Sequence, residues 1–299
     1  MREGCQRRIV RRGIRRWVGV VGAVALVLAC DEDEVRPGLV ADCNDPACVE
    51  TRNGVPVIVG VGIPDGEAGA GGGGGMPAPG VGTIAGTVLE LAASDLLTRQ
   101  NLAGGIEVRA ARAGGTSTDP VIDETDQSGA FRLEGIAASE VTWVGAGNFR
   151  SPPAEPYMDT LQAVDATTGD FVNLLVARRD AVGEAVSVAF MSDGVELDPA
   201  LAQVAVRFIR ENGVPLEGVR ITFPTPEQVP TAYDAGAIFS SALEQTSDRG
   251  MALLVNMPAA PYPGIGTSIV AELDGQQLTA QLQIAAGTLT VVSAVVPDP

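Results

Sequence analysis

From Thr83 onward, short runs of β-branched and apolar residues alternate with turn-forming residues, and this alternation restricts the chain to a fold of many short strands. Glycine (37 residues) and proline (20 residues) interrupt the runs too often for long helices to form. Aromatic residues make up only 4% of the chain, so a core must be built mostly from Val, Leu, Ile and Ala. The pattern predicts an all-β fold of the sandwich type.

The predicted strands alternate apolar and polar side chains, as expected when one face is buried. The residues expected to point into the first core are Ile106, Val108, Ala110, Phe131 and Leu133. Strands are predicted at 83–91, 105–111, 130–133, 141–146, 171–177, 185–190, 204–209, 216–223, 251–255, 268–273, 278–284 and 289–295. Residues 91–102 fit either one helix or a long connection between strands.

A second arrangement similar to the first begins near Asp198. Residues 216–223 parallel residues 102–110, and the turn at 246–250 parallels the turn at 125–129, each followed by a strand. What the two share is a spacing of strand, turn and glycine rather than sequence identity. The sequence predicts two tandem domains, at 83–197 and 198–299.

The first domain resembles the carboxypeptidase regulatory-like family in residues 84–88, 102–108 and 125–133. That family is a seven-stranded, prealbumin-type sandwich found as a non-catalytic module on exported proteins. The resemblance therefore implies this fold and no peptidase residues. The second domain looks similar, and its residues 212–223 and 246–250 also resemble the Ig-like repeats of invasin-type adhesins.

The first thirty residues predict export. Six arginines between positions 7 and 16 precede an apolar or glycine run at 17–29, whose length is typical of a signal peptide and too short to span a bilayer. Residues 27–30 (Val-Leu-Ala-Cys) resemble the lipobox of bacterial lipoproteins, which implies removal of residues 1–29 and diacylation of Cys30. Two acyl chains would anchor the protein stably to the inner or the outer membrane, facing the periplasm or the cell surface. An uncleaved N-terminal anchor is the alternative.

Residues 30–82 are predicted to form an acidic and then glycine-rich flexible tether. Eleven of the 23 residues at 60–82 are glycine, with no apolar period to bury. Cys43 and Cys48 remain as an even pair in an exported chain, which favours a disulfide. Oxygen ligands near this pair, from Asp42, Asn44 and Asp45, are too few to complete a calcium site by themselves.

Two residue types are missing, and their absence excludes several classes of chemistry. The chain has no His, hence no imidazole base, Ser-His-Asp triad or His-ligated zinc, and no Lys, hence no Schiff base or phosphate-loop lysine. Residues 1–29 hold seven of the 20 arginines and one of the 37 acids, so the chain without them carries a net charge of −23. Such a polyanion disfavours nucleic acid as a partner. We expect no enzyme and no cofactor.

A few side chains could still carry function. Trp143 on a predicted strand favours a core position over a sugar-stacking platform, and Tyr157 in a proline-rich loop could be an exposed contact or a packed one. Asp123, Glu124 and Asp126 cluster at a turn, where the ordinary interpretation is solvation and the alternative is calcium binding or paired-carboxylate catalysis. Isolated acids that raise the same question are Asp165, Asp170 and Asp180.

The sequence therefore predicts a lipid-anchored cell-envelope protein whose sandwich modules serve a structural or binding role. Its expected partners are the membrane, through the lipid, and an envelope protein or polysaccharide. A calcium- or carbohydrate-binding surface protein or adhesin is the alternative, and a hydrolase that uses only carboxylates is a third hypothesis.

Overall fold

A computed structural model of the protein describes residues 57–58, 60–61, 80–91, 93–101, 104–114, 119–139, 141–149 and 156–296. These residues are mostly strands, and they contain a single α-helix, which confirms the all-β class. The strands of the first part are β1 (Val57–Ile58), β2 (Gly60–Val61), β3 (Gly80–Leu91), β4 (Arg99–Asn101), β5 (Glu107–Ala111), β6 (Pro120–Glu124), β7 (Ala130–Ala138), β8 (Thr142–Gly147), β9 (Tyr157–Val164) and β10 (Phe171–Arg178). The helix α1 (Arg179–Ala189) follows, and the later strands are β11 (Ala202–Arg210), β12 (Arg220–Phe223), β13 (Thr231–Ala235), β14 (Ile238–Ser240), β15 (Met251–Met257), β16 (Ile265–Leu273), β17 (Gln276–Ile284) and β18 (Thr288–Val296).

Strands β3 to β10 form the first sandwich. In one layer, β3 pairs antiparallel with β7 and parallel with β10, and in the other, β6, β5, β8 and β9 follow one another in antiparallel order. The predicted inward residues, from Ile106 to Leu133, all lie in the core between the layers. Phe131 is the only Phe among the fully buried members of this core, which otherwise consists of Val, Leu, Ile and Ala.

Strands β11 to β18 repeat the same pairing. The first strand, β11, pairs antiparallel with β15 and parallel with the last strand, β18, while β12, β16 and β17 form the facing layer. A second core, which includes Phe208 and Tyr233, fills the space between these layers. In both repeats, therefore, the first and last strands lie side by side and run in the same direction.

Helix α1 occupies residues for which the sequence analysis predicted a strand at 185–190, and that prediction is wrong. Its buried residues recur with helical spacing, at Ala181, Val182, Ala185, Val186 and Ala189. All of these except Ala181 pack in a third core against side chains from both repeats, among them Leu91, Leu253 and Leu289. The layer that contains β3 and β10 and the layer that contains β11 and β18 therefore both pack against the helix in this third core.

The two repeats are also joined by backbone pairing. Strand β18 pairs parallel with β9 of the first repeat, with Thr288 opposite Asp159 and Val291 opposite Gln162. One sheet therefore runs from β14 through β18 and β9 to β4. The domain boundary at 197/198 stays a prediction, and the described residues on its two sides share a sheet and a core.

A buried threonine holds the turn between β6 and β7 in the first repeat. Thr125 receives the N–H of Ile106 on its Oγ1 at 2.9 Å and exchanges backbone hydrogen bonds with Gly105 and Ile106. At the end of the turn, Gly129 has a φ of +77°, which favours glycine, and its carbonyl accepts the N–H of Val88.

The second repeat makes the same bonds with Thr246. Its Oγ1 accepts the N–H of Val219 at 3.0 Å, and its backbone bonds to Gly218 and Val219. Gly250, with a φ of +66°, accepts the N–H of Phe208. The weak repeat predicted from sequence is thus present as one hydrogen-bond pattern.

Candidate functional site

Arg109 on β5 reaches from the first repeat to the second. Its guanidinium carbon lies 3.9 Å from the ring centroid of Phe149 and 5.0 Å from that of Tyr262. The two rings meet edge to face with centroids 5.0 Å apart. Each cation–π contact contributes on the order of 1 kcal/mol where it is partly desolvated, so this stack fastens the β15–β16 loop, which carries Tyr262, to the first sandwich.

Local backbone features bring these groups together. Arg109 alternates with the buried Val108 and Ala110, so its side chain points away from the first core. Phe149 directly follows β8 and has a φ of +44°, which turns the chain back over the strand. A Cβ at Gly145 would lie 2.5 Å from the Phe149 ring, so only glycine at this position leaves room for it.

Arg109 is paired with a carboxylate as well as stacked on the rings. Glu107 forms an ion pair with Arg109 on the same strand face. Burial lowers the pKa of the Arg109 guanidinium, while Tyr262 and Asp159 act in the opposite direction. Its buried Nε has no hydrogen-bond acceptor among the described residues. The guanidinium is thus held by an ion pair on its own strand and by the two ring faces.

Asp159, at the start of the β9–β18 pairing, is a buried carboxylate with a backbone role. Its Oδ1 accepts the N–H groups of Asn148 at 2.8 Å and Phe149 at 3.2 Å, which fixes the segment that carries the ring. Burial raises its pKa above the ordinary value, although these hydrogen bonds, Arg109 and Arg179 oppose the shift.

Further along β9, the side chain of Gln162 bonds to the backbone of β10 at a point where the two strands no longer pair. Strands β9 and β10 pair only at their ends, opposite Ala177 and Arg178. Where they separate, Gln162 accepts the N–H of Leu175 at 3.0 Å and donates to its carbonyl at 2.8 Å. Because both backbone groups are satisfied, β9 is free to pair with β18 without leaving buried polar groups of Leu175 unbonded.

A second polar link between the repeats joins Asp95 and Arg249 at 3.4 Å. Asp95 also accepts N–H bonds from Leu97 and Thr98, which close the loop before β4. The guanidinium of Arg249 belongs to the turn of the second repeat. The joint between the repeats therefore consists of the β9–β18 pairing, the Arg109 stack, this ion pair and the core around α1.

The acidic turn singled out in the sequence uses its carboxylates to hold backbone. Asp126 is exposed, and its Oδ1 accepts the N–H groups of Ser128 at 2.8 Å and Ala130 at 3.0 Å. Hydrogen bonds from the Ser128 hydroxyl and these N–H groups lower its pKa. Asp123 accepts the N–H of Arg132 at 2.7 Å. Glu124 lies on the same edge strand, β6.

In the second repeat, the carboxylate that holds the turn comes from a neighbouring strand and not from the turn itself. Asp234 on β13 accepts the N–H of Ser247 at 3.0 Å and of Met251 at 2.9 Å on one oxygen, and that of Arg249 at 2.9 Å on the other. Only 2% of Asp234 is exposed. When the two turns are aligned on their threonines, Arg249 and Met251 correspond to Ser128 and Ala130.

The two aromatic candidates are both half-buried. Trp143 lies on β8 next to the inward Val144, so it faces away from the first core and packs, partly buried, against the core of the second repeat. The predicted inward position of Trp143 is therefore wrong. Tyr157 begins β9 rather than standing in a loop, and its hydroxyl donates to Glu90 at 2.9 Å. Burial and this bond raise the pKa of Tyr157 to about 12.

The remaining acids also serve local structure. Asp165 accepts the N–H of Thr167 at 2.8 Å, and Asp180 pairs with Arg178 through two bonds of 2.9 and 2.8 Å. The backbone N–H of Asp170 donates to Thr168 Oγ1 at 3.3 Å. Across the described part of the chain, no group of three or more His, Cys, Asp or Glu side chains is placed to hold a metal ion.

Three predicted site residues, Cys30, Cys43 and Cys48, lie outside the described residues, as do the signal peptide at 1–29 and most of the tether. Within the part of the chain that is described, no helix has both the length and the apolar character needed to cross a membrane. Lipidation of Cys30 and the disulfide remain predictions.

Sequence reasoning did not find the residues of the joint. Arg109 alternates with the inward Val108 and Ala110 and so falls on a polar strand face, and nothing near it in the sequence indicates Tyr262, which lies 153 positions away. Asp234 and Asp159 are single acids without a motif around them. The one available signal was helical spacing of Ala and Val at 181–189, which predicts α1 when it is compared with period-two alternation.

Comparison with known proteins gives distant structural likenesses. No protein-family model and no curated protein sequence matches the chain. The Bacillus anthracis TIE protein matches 73% of this chain at 9% identity and a TM-score of 0.21, and the chain spans 34% of that protein's length. A streptococcal ancillary pilin matches 71% of this chain and 69% of its own at 10% identity and a TM-score of 0.21. The β-sandwich assignment rests on the strand pairing described above.

Proposed function

We propose that this protein is a lipid-anchored, non-catalytic component of a bacterial cell envelope, in which two β-sandwich repeats act as one rigid structural or binding unit. The observation that carries the proposal is the position of β18, which pairs with β11 of its own repeat and with β9 of the other. A unit joined in this way keeps its exposed edges and loops in a fixed relation, which suits attachment to an envelope protein or polysaccharide.

The buried polar groups at the joint and at the turn of the second repeat support a structural role. The buried carboxylates Asp159 and Asp234 each accept two or three backbone N–H bonds, and the amide of Gln162 bonds to a strand. In these positions the acids stabilise turns and strand ends. A catalytic carboxylate would instead have to present an oxygen to a substrate.

Metabolic labelling with a clickable palmitate analogue tests the anchor. We expect the wild-type protein to be labelled and to fractionate with membranes, and Cys30→Ser to lose both the label and the membrane association. Cys43→Ser is the matched control, since it removes a cysteine of the same chain without touching the lipobox. Wild-type protein that is unlabelled and free in the medium would refute the lipid anchor and leave a secreted module.

Partner binding is tested with the same protein. Cross-linking on intact cells, followed by recovery of the chain, should yield a defined envelope protein or a polysaccharide adduct. A thermal shift with calcium, or binding on a glycan array, would instead support the alternative of a calcium- or carbohydrate-binding surface protein.

A further inference from the structure

The strands that begin and end the repeats lie in the middle of a sheet and not at its edge. Strand β3 pairs with β7 and β10, β11 with β15 and β18, and β18 with both β11 and β9. Each of the three is also covered on both faces, because β3 contributes side chains to the first and third cores, and β11 and β18 contribute to the second and third. Among the described strands, the sheet edges are formed by strands from within a repeat, such as β6, β12 and β14.

Pairing between the first and the last strand is parallel in both repeats. Residues 85–91 of β3 lie beside 171–177 of β10, and residues 203–210 of β11 lie beside 289–296 of β18. In a parallel pair, the start of one strand and the end of the other lie at opposite ends of the pair. Tension between these two points therefore acts along the strands and loads all of their evenly spaced hydrogen bonds together.

A pull in another direction meets less resistance. When both points of attachment lie at the same end of a strand pair, the tension separates one hydrogen-bonded position after another. The antiparallel hairpin β16–β17 would open in this way from its free ends, although it is aligned at nine positions and β11–β18 at eight. Resistance to tension thus depends on strand direction. The described strands that pair with β18, namely β1, β9 and β11, all run parallel to it.

Two buried threonines hold β18 through side-chain bonds as well. Thr290 Oγ1 donates to the carbonyl of Gln283 on β17 at 2.8 Å, and Thr288 Oγ1 donates to the carbonyl of Ala285 at 2.9 Å. The bond to β17 links β18 to the facing layer of the second sandwich. A displacement of β18 along its own axis therefore breaks this bond together with the strand pairing.

We infer that the repeats are load-bearing, and that the parallel pairs β3–β10 and β11–β18 resist tension applied between the chain before β3 and the chain after β18. This role deepens the proposed function and rests on it for the source of the tension, which is a pull between an envelope partner held beyond β18 and the membrane. The mechanical resistance itself does not depend on the lipid. It differs from thermodynamic stability, because it is specific to one direction of pull.

Single-molecule force spectroscopy on the full chain tests this direction. The four native cysteines are replaced by Ser, and new cysteines serve as handles at exposed positions before and after β11 and directly after β18. Ala200→Cys with Pro297→Cys pulls on opposite ends of the β11–β18 pair, whereas Glu211→Cys with Pro297→Cys pulls on the same end. Because forced unfolding follows the unfolding rate, we expect the first handle pair to require a force at least about twofold higher than the second. The gain in length, about 3.5 Å for each residue released, identifies the segment that opens.

A proline in β11 tests whether backbone pairing carries the load. The N–H of Phe208 donates at 2.8 Å to Gly250, which leads into β15 on the side of β11 away from β18. Since successive backbone N–H groups in a strand point to opposite sides, the N–H of Ile209 points toward β18. Ile209→Pro removes this donor and should lower the force of the first handle pair to about half, with little change for the second. The matched control Ile209→Ala keeps the N–H group and should stay close to the wild-type force.

Equal forces for the two handle pairs would overturn the load-bearing role, since the same strands would then resist equally in both directions. An equal loss of force in Ile209→Pro and Ile209→Ala would overturn backbone pairing as the origin of the resistance. If Ile209→Pro does not fold, the comparison of the two handle pairs without it still decides. Absence of palmitate from the wild type would refute the proposed anchor and leave the measured forces standing.

Discussion

The turn of the first repeat and the turn of the second have the same hydrogen-bonded frame but different carboxylates. In the first, Asp126 lies within the turn and is exposed, whereas in the second, Asp234 reaches the turn from β13 and is buried. The difference follows from strand pairing. The strand before the first turn, β6, pairs with β5, while β13 pairs with β15, which begins directly after the second turn.

A carboxylate that holds a turn from a neighbouring strand does two things at once. It satisfies the N–H groups of the turn, and it fixes β13 beside β15. The local Asp126 does only the first, in contact with water. The comparison shows that two turns can have the same hydrogen-bonded geometry although the stabilising carboxylate lies within the turn in one repeat and on a buried neighbouring strand in the other.

The largest expected effect comes from removing the buried carboxylate. Asp234→Ala leaves three backbone N–H groups without their acceptor and should lower the free energy of unfolding by about 3–5 kcal/mol. Urea denaturation followed by far-ultraviolet circular dichroism measures this loss. Asp126→Ala is the matched control and should cost clearly less, because water replaces its exposed carboxylate. Equal losses in the two variants would contradict the contrast between the turns.

The threonines of the two turns should both contribute to stability. Thr246→Val removes an acceptor for Val219 and a donor to the carbonyl of Leu216, which lies 2.7 Å from Oγ1. We expect a loss of about 2 kcal/mol. Thr125→Val removes the acceptor for the N–H of Ile106 and should cost at least about 1 kcal/mol. Denaturation midpoints at a fixed m-value measure both losses, and an unchanged midpoint in either variant would contradict the role of its threonine.

A smaller effect is expected from the pH dependence of Asp159. Because burial raises its pKa, the folded protein binds this proton more tightly than the unfolded chain, and the contribution of Asp159 to stability decreases as the pH rises from 3.8 through the raised pKa. Asp159→Asn keeps one oxygen for Asn148 and Phe149 and removes the buried charge.

We therefore expect Asp159→Asn to flatten the dependence of unfolding free energy on pH in this range and to cost little at neutral pH. Asp234→Asn provides the contrast, since both oxygens of Asp234 accept N–H groups and an amide supplies only one acceptor. Parallel urea titrations from acid to neutral pH measure both. A steep neutral-pH loss in Asp159→Asn would show that its charge is required.

The smallest effect concerns the tyrosines, which again differ between the repeats. Tyr157 in the first repeat donates to Glu90, while Tyr233 in the second accepts the N–H of Ile221 at 2.9 Å. Burial raises the pKa of both, and that of Tyr157 to about 12. Tyrosinate absorbance at high pH should therefore appear late in the folded protein and near the ordinary value of 10 after unfolding. Stability should fall above pH 10, since the unfolded chain loses these protons first.

Burial also raises the pKa of Tyr262. Tyr157→Phe should remove the component that ionises near pH 12 and leave the signals of Tyr233 and Tyr262. A wild-type titration that is complete near pH 10 before any unfolding would contradict the raised pKa values of the three tyrosines.

The sequence predicts those parts of the fold that depend on neighbours along the chain. Alternation identified the inward face of Ile106, Val108 and Ala110, and turn spacing related the glycines of the two repeats, Gly129 and Gly250. Both signals are local, because strand faces follow a period of two and a left-handed residue favours glycine.

The rest depends on groups that are distant in sequence. The pairing of β9 with β18, the stack of Arg109 on Tyr262 and the reach of Asp234 to its turn leave no local pattern. Residues 185–190 at the end of α1 were mistaken for a strand because Ala and Val occur in both structures. Only the helical spacing of the buried residues over the longer segment 179–189 distinguishes the helix. Tyr157 was placed in a loop for a similar reason, since its proline-rich surroundings do not show that β9 begins there.

The position of β18 has a consequence for the order in which this chain can mature. Strand β9 pairs with β8 on one side, but most of its other side has no strand partner until β18, more than 120 residues later, has been made. The sheet of the first repeat is therefore completed long after its own residues have been synthesised. Contacts of such high sequence separation slow folding, and they extend the time during which sheet edges stand exposed. The order of synthesis therefore leaves one side of β9 exposed until the final strand of the chain is complete.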